Sequence, residues 1–257
     1  MAVLELKNII CGYGREDIIK GISLTAEPGE IISLAGPNGC GKTTLLRAAC
    51  GLIPIRSGGA YIDGKLVSAI PVKDRAQVIA MLSQTGAGGD YSDYTVKETV
   101  IMGRYARHSG GIFTEASAGD LAIAEKYISE TGLDGLENRL ITELSGGQLQ
   151  RVFLARAFAQ EPEIIFLDEP ANHLDLKHQT ELYELLRRWS ESGKTVVGVF
   201  HDLGLAAAVS DRIMLMHEGE SVLCGSPDEV VHSEKLNDVY GTDVAAYMRK
   251  ISEIWRR

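Results

Sequence analysis

The spacing of apolar residues changes character twice along the chain, and each change marks a different kind of structure. Leu4, Leu6 and Ile9 alternate with polar neighbours, which predicts an opening strand. Gly12-Tyr13-Gly14 follows as a turn. A second strand is expected over residues 18–26, closed by Pro28-Gly29-Glu30, and Ile31, Ile32, Leu34 and Ala35 then form a short apolar strand. Helix-forming residues occupy 43–49. Ile53-Pro54 and Ser57-Gly58-Gly59 break that pattern ahead of a short hairpin with Asp63-Gly64 at its tip. A compact strand over 78–82 runs into Ser83-Gln84.

Between residues 85 and 144 the period becomes helical. Thr95 is a suitable N-cap with Glu98 three positions on, the spacing of a capping box. Leu121, Ala124 and Ile128 share one face of a second helix ending near Gly132, with a loop at 108–111 between the two. Strand character returns at Ile164-Ile165-Phe166-Leu167, an unbroken apolar run that suits burial on both faces. Leu182, Leu185, Leu186 and Trp189 mark a helix, 195–200 another strand, and 211–224 a hairpin around Glu218-Gly219-Glu220. Beyond Gly225 short surface helices are expected. The pattern as a whole describes an α/β chain whose helical segment is inserted between two halves rich in strands.

Composition narrows the function classes. The best uncharged runs fall short of the ~20 apolar residues a spanning helix needs. Met-Ala-Val-Leu-Glu-Leu-Lys places charges where a signal peptide would be apolar, so a cytosolic chain is expected. The net charge of −9 disfavours nucleic acid, and any membrane association is expected through a protein partner. The four cysteines at 11, 40, 50 and 224 have no metal-ligand spacing. For the thiol at position 40 two readings stand side by side, a pKa lowered by inward-facing N–H groups and, favoured over it, a side chain that only fills space.

Three stretches carry chemistry. Gly36-Pro37-Asn38-Gly39-Cys40-Gly41-Lys42-Thr43-Thr44 matches G-x-x-x-x-G-K-[ST] between an apolar strand and a helix, the context a phosphate-binding loop requires. Its N–H groups would wrap an anion at a helix N-terminus, Lys42 would reach the β- and γ-phosphates, and Thr43 would offer its hydroxyl to Mg²⁺. Leu167-Asp168-Glu169-Pro170 ends a buried strand, which puts Asp168 in position for Mg²⁺ and Glu169 for polarising a water. Leu144-Ser145-Gly146-Gly147-Gln148 opens an apparent helix bearing Leu149, Val152 and Phe153, a second helix N-terminus suited to an anion.

With these motifs in this order over residues 2–224, the chain resembles the ATP-binding subunits of ATP-binding-cassette (ABC) transporters, and 144–148 spells that family's signature sequence. The resemblance implies a P-loop NTPase core of mixed sheet with flanking helices, an N-terminal antiparallel β subdomain and an inserted α-helical subdomain. One ABC ATPase domain would cover 1–257, with 1–85 and 161–224 as the core, 86–160 as the helical subdomain carrying the signature, and 225–257 as a helical extension. ATP and Mg²⁺ are the implied ligands. Tyr13 would stack on adenine, Gln84 would link Mg²⁺ and the water to the membrane subunit, Asp175 would cross a dimer interface, and His201 would contact the γ-phosphate. Ser145 to Gln148 would serve the ATP held by the partner's loop. The implied partners are a second copy, two polytopic permease subunits and, indirectly, an extracytoplasmic substrate-binding protein, at the cytoplasmic face of the membrane.

Within the family, Gly103-Arg104-Tyr105-Ala106-Arg107-His108, Asn172-His173-Leu174-Asp175 and Val239-Tyr240-Gly241-Thr242-Asp243-Val244 resemble importers of iron chelates, haem and corrinoids. Ala106 replaces a common proline, and the helical end at 247–255 departs from the usual extended tail. On the residues alone, a soluble ATPase of the same fold, as in iron-sulfur assembly, stays open beside the transport reading, and a non-catalytic nucleotide-binding regulator is disfavoured by Glu169 and His201.

Overall fold

The computed structural model describes residues 3–83, 93–107, 116–200 and 202–255. The elements are, in order, β1 (Leu4–Cys11), β2 (Ile19–Ala26), β3 (Ile31–Ala35), α1 (Lys42–Ala49), β4 (Ile55–Ile62), β5 (Lys65–Leu66), α2 (Val72–Val78), β6 (Ile79–Leu82) and α3 (Val96–Ile101). They continue with α4 (Ala118–Glu130), α5 (Gly146–Ala159), β7 (Ile164–Asp168), α6 (Leu176–Glu191), β8 (Thr195–Val199), α7 (Leu203–Val209), β9 (Arg212–His217), β10 (Glu220–Gly225), α8 (Pro227–Val231), α9 (Glu234–Tyr240) and α10 (Val244–Trp255). They group into two compact units, Met1–Ala69 with Val197–Arg257, and Ile70–Val196.

In the first unit, β2, β1, β4 and β5 form an antiparallel sheet in that order. Alternation along β1 and β2 buries Leu4, Leu6, Ile9, Ile22 and Leu24 on one face. A second layer pairs β3 parallel with β9 and β9 antiparallel with β10. All five residues of β3 are buried, as a parallel strand covered on both faces requires. This strand delivers the chain into residues 36–44.

The helices after Gly225 are not confined to the surface as expected. Val230, Leu236, Val239 and Val244 are buried in one cluster with Ala35, Ile213 and Leu215. Val230, Leu236 and Val239 lie on two short capped helices, α8 and α9, neither long enough to display a clear 3.6-residue period, and Val244 is the first residue of α10. The cluster places α9 directly behind the last residue of β3.

In the second unit β6 runs parallel to β7, and the expected capping box of Thr95 and Glu98 starts α3. The helix α2 was not legible, because none of its seven residues is buried and no apolar stripe marks it. Tyr127, Phe158 and Trp189 bring α4, α5 and α6 together, with the Phe158 and Trp189 rings 4.9 Å apart edge to face. A buried charge cluster adds direction to this core. Arg104 Nε donates to Asp120 Oδ1 at 3.0 Å, and Arg104 Nη1 donates to the Ala159 carbonyl at 2.7 Å and to Glu161 at 2.9 Å. The other oxygen of Asp120 accepts from the Ser117 N–H at 3.2 Å, which closes the capping box of α4, and also from Ser117 Oγ. The start of the Gly103 to His108 element is therefore explained by packing inside the unit. His108 lies outside the described residues.

Removing one partner of a buried pair leaves the other charge desolvated. Arg104→Met is expected to destabilise the chain by about 3 kcal/mol, read as a lowered urea midpoint with an unchanged m-value.

Candidate functional site

The phosphate loop is held from inside by its own lysine. Lys42, 8% exposed, donates from Nζ to the Gly36 carbonyl at 2.7 Å and the Pro37 carbonyl at 2.9 Å. A buried ammonium needs such partners, and the two carbonyls draw the loop into a closed ring around it. Gly36 sits at φ +145°, and a Cβ there would lie 2.2 Å from the Met216 carbonyl oxygen, so no other residue fits between β3 and β9 at this point. The Thr43 hydroxyl is in the first turn of α1. A loop with this lysine and these backbone N–H groups at a helix start fits the phosphates of a nucleotide.

At Cys40 the geometry favours a thiol that fills space. Its thiol is 5% exposed, and burial pushes its pKa up, against the opposing influence of Lys42. Desolvation of the thiolate outweighs the nearby ammonium, whose Nζ lies 3.9 Å from the sulfur and is already engaged by two carbonyls.

In the second unit, Asp168 ends β7 and is 1% exposed. Glu169 follows with a left-handed backbone at φ 56°, which turns its side chain away from the strand direction. The Asn172 side-chain amide donates to Glu169 Oε2, and the Asn172 N–H donates to the Glu169 carbonyl. Asn172 thus orients the carboxylate proposed to polarise water. Sequence reading had Asn172 only as part of a motif; its contact with Glu169 depends on the left-handed turn, for which a glutamate gives no signal.

Ser145 caps α5, its hydroxyl accepting from the Gln148 N–H while the Gln148 side chain accepts from the Ser145 N–H at 2.9 Å. Two of the signature residues therefore close a capping box. Its two glycines differ. Around Gly146 a Cβ would meet nothing within 4 Å, whereas at Gly147 it would lie 2.7 Å from the His173 carbonyl oxygen. One turn further, Gln150 Nε2 donates to the Pro170 carbonyl at 3.2 Å. The start of α5 is thereby packed onto the 168–175 turn.

The remaining expected residues fall as follows. Tyr13 is 45% exposed, with its hydroxyl accepting from Arg47 at 3.1 Å, so it is no core tyrosine and its ring is open to a flat ligand. Asp175 caps α6, and hydrogen bonds from the His178 N–H and ring hold its carboxyl below the usual range. His178 is thus the capping partner of Asp175. Gln84 and His201 lie outside the described residues. As to the metal, a threonine hydroxyl and an aspartate carboxylate are hard oxygen donors of the kind Mg²⁺ takes, so Thr43 and Asp168 fit that ion by donor type.

Two outcomes follow. Gly147→Ala is expected to cost about 1–3 kcal/mol in urea unfolding as α5 is pushed off the 173 carbonyl, whereas Gly146→Ala stays within about 1 kcal/mol of wild type. In the native chain at neutral pH, iodoacetamide is expected to modify half-buried Cys224 before Cys40, resolved by peptide mass spectrometry.

The comparisons with known proteins agree with this geometry. Residues 19–172 match the family model described as ABC transporter. The chain is 41% identical over 250 residues to the uncharacterized ABC transporter ATP-binding protein YvrA of Bacillus subtilis (strain 168), covering 97% of this chain but only 56% of YvrA. It is 37% identical to the petrobactin import ATP-binding protein YclP of the same organism, over 93% of this chain and 92% of that protein. A solved structure described as a metal-chelate type ABC transporter in an inward-facing conformation superposes with a TM-score of 0.78 at 26% identity, covering 93% of this chain and 89% of that one. A phosphate loop closed on its lysine, a carboxylate turn packed under a capped Ser-Gly-Gly-Gln helix, and these relatives together mean that the chain belongs to the ABC transporter family, as one of its ATP-binding ATPase subunits.

Proposed function

We propose that two copies of this chain close around two MgATP and that hydrolysis drives import of a metal chelate, a siderophore, haem or corrinoid, through two polytopic membrane subunits. The chain works at the cytoplasmic face of the membrane, as a peripheral subunit; no helix among the described residues is long and apolar enough to cross a membrane. An extracytoplasmic binding protein acts on it only indirectly. The observation that carries this reading is the packing of the signature helix onto the Asp168–Asp175 turn through Gly147 and Gln150, because it links the hydrolytic carboxylates to the helix that serves the other copy's ATP.

The chemistry is phosphoryl transfer to water, so the residues act by position and charge. Lys42 exchanges the Gly36 and Pro37 carbonyls for phosphate oxygens, an exchange between acceptors of similar geometry that avoids exposing a bare ammonium. The N–H groups of Asn38, Gly39, Gly41, Lys42, Thr43 and Thr44 face the phosphates, while that of Cys40 closes the loop onto the Pro37 carbonyl. Mg²⁺, with Thr43, Asp168 and Gln84 as its residues, would neutralise charge on the β- and γ-phosphate oxygens. Glu169, oriented by Asn172, takes the proton of the attacking water. His201 stabilises charge at the γ-phosphate, Tyr13 stacks on adenine, and Ser145, Gly146, Gly147, Gln148 and Asp175 serve the nucleotide of the second copy. That pairing makes two whole sites from unlike halves.

The chelate class is supported by the likeness to YclP and by the three motifs at 103–108, 172–175 and 239–244. With the membrane subunits in proteoliposomes, a ferric-siderophore-loaded binding protein is expected to raise ATP hydrolysis several-fold. Stimulation by free manganese alone would remove the chelate assignment.

Glu169→Gln is expected to lower phosphate release about 100-fold or more while still binding ATP, and to shift from monomer to dimer mass with MgATP in light scattering. Native turnover in this variant would sink the role given to Glu169.

A further inference from the structure

We propose that Tyr240, from the C-terminal extension, is a positioning residue of the phosphate loop: its hydroxyl holds the Gly36 N–H and fixes the strand-to-loop junction on which ATP affinity depends. The inference rests on reading residues 36–44 as the phosphate site.

Gly36 is the first loop residue, and both of its backbone polar groups are engaged. Its N–H donates to Tyr240 Oη at 3.0 Å, and its carbonyl accepts from Lys42 Nζ at 2.7 Å. The residue also stands at φ +145° with Met216 backbone closing one side. The two peptide groups that flank the Gly36 Cα are each held, one through its N–H and the other through its carbonyl, with a strand walling the Cα between them, so the direction in which the loop leaves β3 is set here.

Tyr240 is itself held. It ends α9, whose Leu236 and Val239 are buried beside Ala35, the residue preceding Gly36. The turn after it is tied back by the Thr242 N–H to the Asn237 carbonyl at 3.3 Å and by the Val244 N–H to Asn237 Oδ1 at 3.0 Å. A side chain fixed by packing and by hydrogen bonds in its supporting segment can position a neighbouring group. Burial also raises the phenol pKa, so the hydroxyl stays neutral at working pH.

Counting loop donors shows what the contact does. Pro37 has no N–H, and the Cys40 N–H reaches the Pro37 carbonyl at 3.3 Å. With the Gly36 N–H engaged by Tyr240, the donors aimed at phosphate begin at Asn38. Without the hydroxyl, a part-buried N–H loses its acceptor, and relieving that turns the Ala35–Gly36 peptide, which shifts the Gly36 Cα and with it the adjoining peptide whose carbonyl anchors Lys42. The extension 225–257 then has a role in nucleotide binding, and displacement of α9 weakens it.

The test uses the full chain and equilibrium binding of a fluorescent mant-ATP with Mg²⁺, together with NMR-detected hydrogen exchange at the Gly36 amide. Tyr240→Phe keeps the ring in place and removes only the acceptor. It is expected to weaken binding about 3- to 10-fold and to speed exchange at Gly36 while the amides of β9 are unchanged. Arg104→Met, destabilised in the other unit, is expected to bind normally and so separates lost stability from lost positioning. Affinity of Tyr240→Phe equal to wild type, or weaker binding with Gly36 exchange unaltered, would overturn the proposal. An unprotected Gly36 amide in the wild-type chain would overturn it without any variant. Lys42→Ala tells the two readings apart: it should abolish binding, and if it binds normally the phosphate-site reading itself fails. If only Tyr240→Phe binds normally, the positioning role fails alone.

Discussion

The near-buried ammonium of Lys42 is the constraint on which the nucleotide half of this molecule depends. A charge with so little solvent must be met by acceptors, and here the Gly36 and Pro37 carbonyls meet it. Those contacts close the loop and keep the lysine where a phosphate can replace them. They also fix the surroundings: Gly36 must be glycine because Met216 lies against it, and β3 must be flanked by β9 at that height. The loop is thus poised by its own charge and by the strands around it.

The half that carries the proposed hydrolytic carboxylate obeys a different constraint, that of close backbone approach. Gly147 lets the start of α5 come within contact of the His173 carbonyl, and Gln150 fastens the same helix to Pro170. Glu169 and His173 both adopt positive φ, 56° and 64°, so the chain from 168 to 175 folds into a compact turn rather than an open loop. Backbone strain at non-glycine residues is retained where the surrounding contacts over-determine it. The Asn172 amide on Glu169 is one such contact. A movement of α5 would therefore be transmitted to the carboxylate, the link that the proposed pairing of two copies requires.

Two outcomes share a cause. The lowered pKa that neighbours in the chain suggest for Cys40 is set aside by burial, which comes from packing around the loop. Local spacing after Gly225 suggests surface helices, since the apolar positions of α8 and α9 are divided between short segments, yet several join the core behind β3. In both cases the deciding quantity is solvent exclusion by residues distant in sequence, which local spacing does not encode.

By itself the amino-acid sequence determined the features that depend on short-range chemistry. The phosphate loop is legible because its glycines, lysine and threonine must stand at fixed spacing between strand and helix. The buried strands before residues 36 and 168 are legible from unbroken apolar runs, and the caps at Thr95 and Ser145 from their partners three residues on. Tertiary structure alone decided which of these groups are locked. It brought Asn172 onto Glu169, His173 against Gly147, Arg104 between Asp120 and Glu161, and Tyr240 onto Gly36, a residue 204 positions away. Such contacts depend on backbone conformation and on the docking of distant segments. A period of 2 or 3.6 residues carries the direction a side chain faces, but not what it meets there.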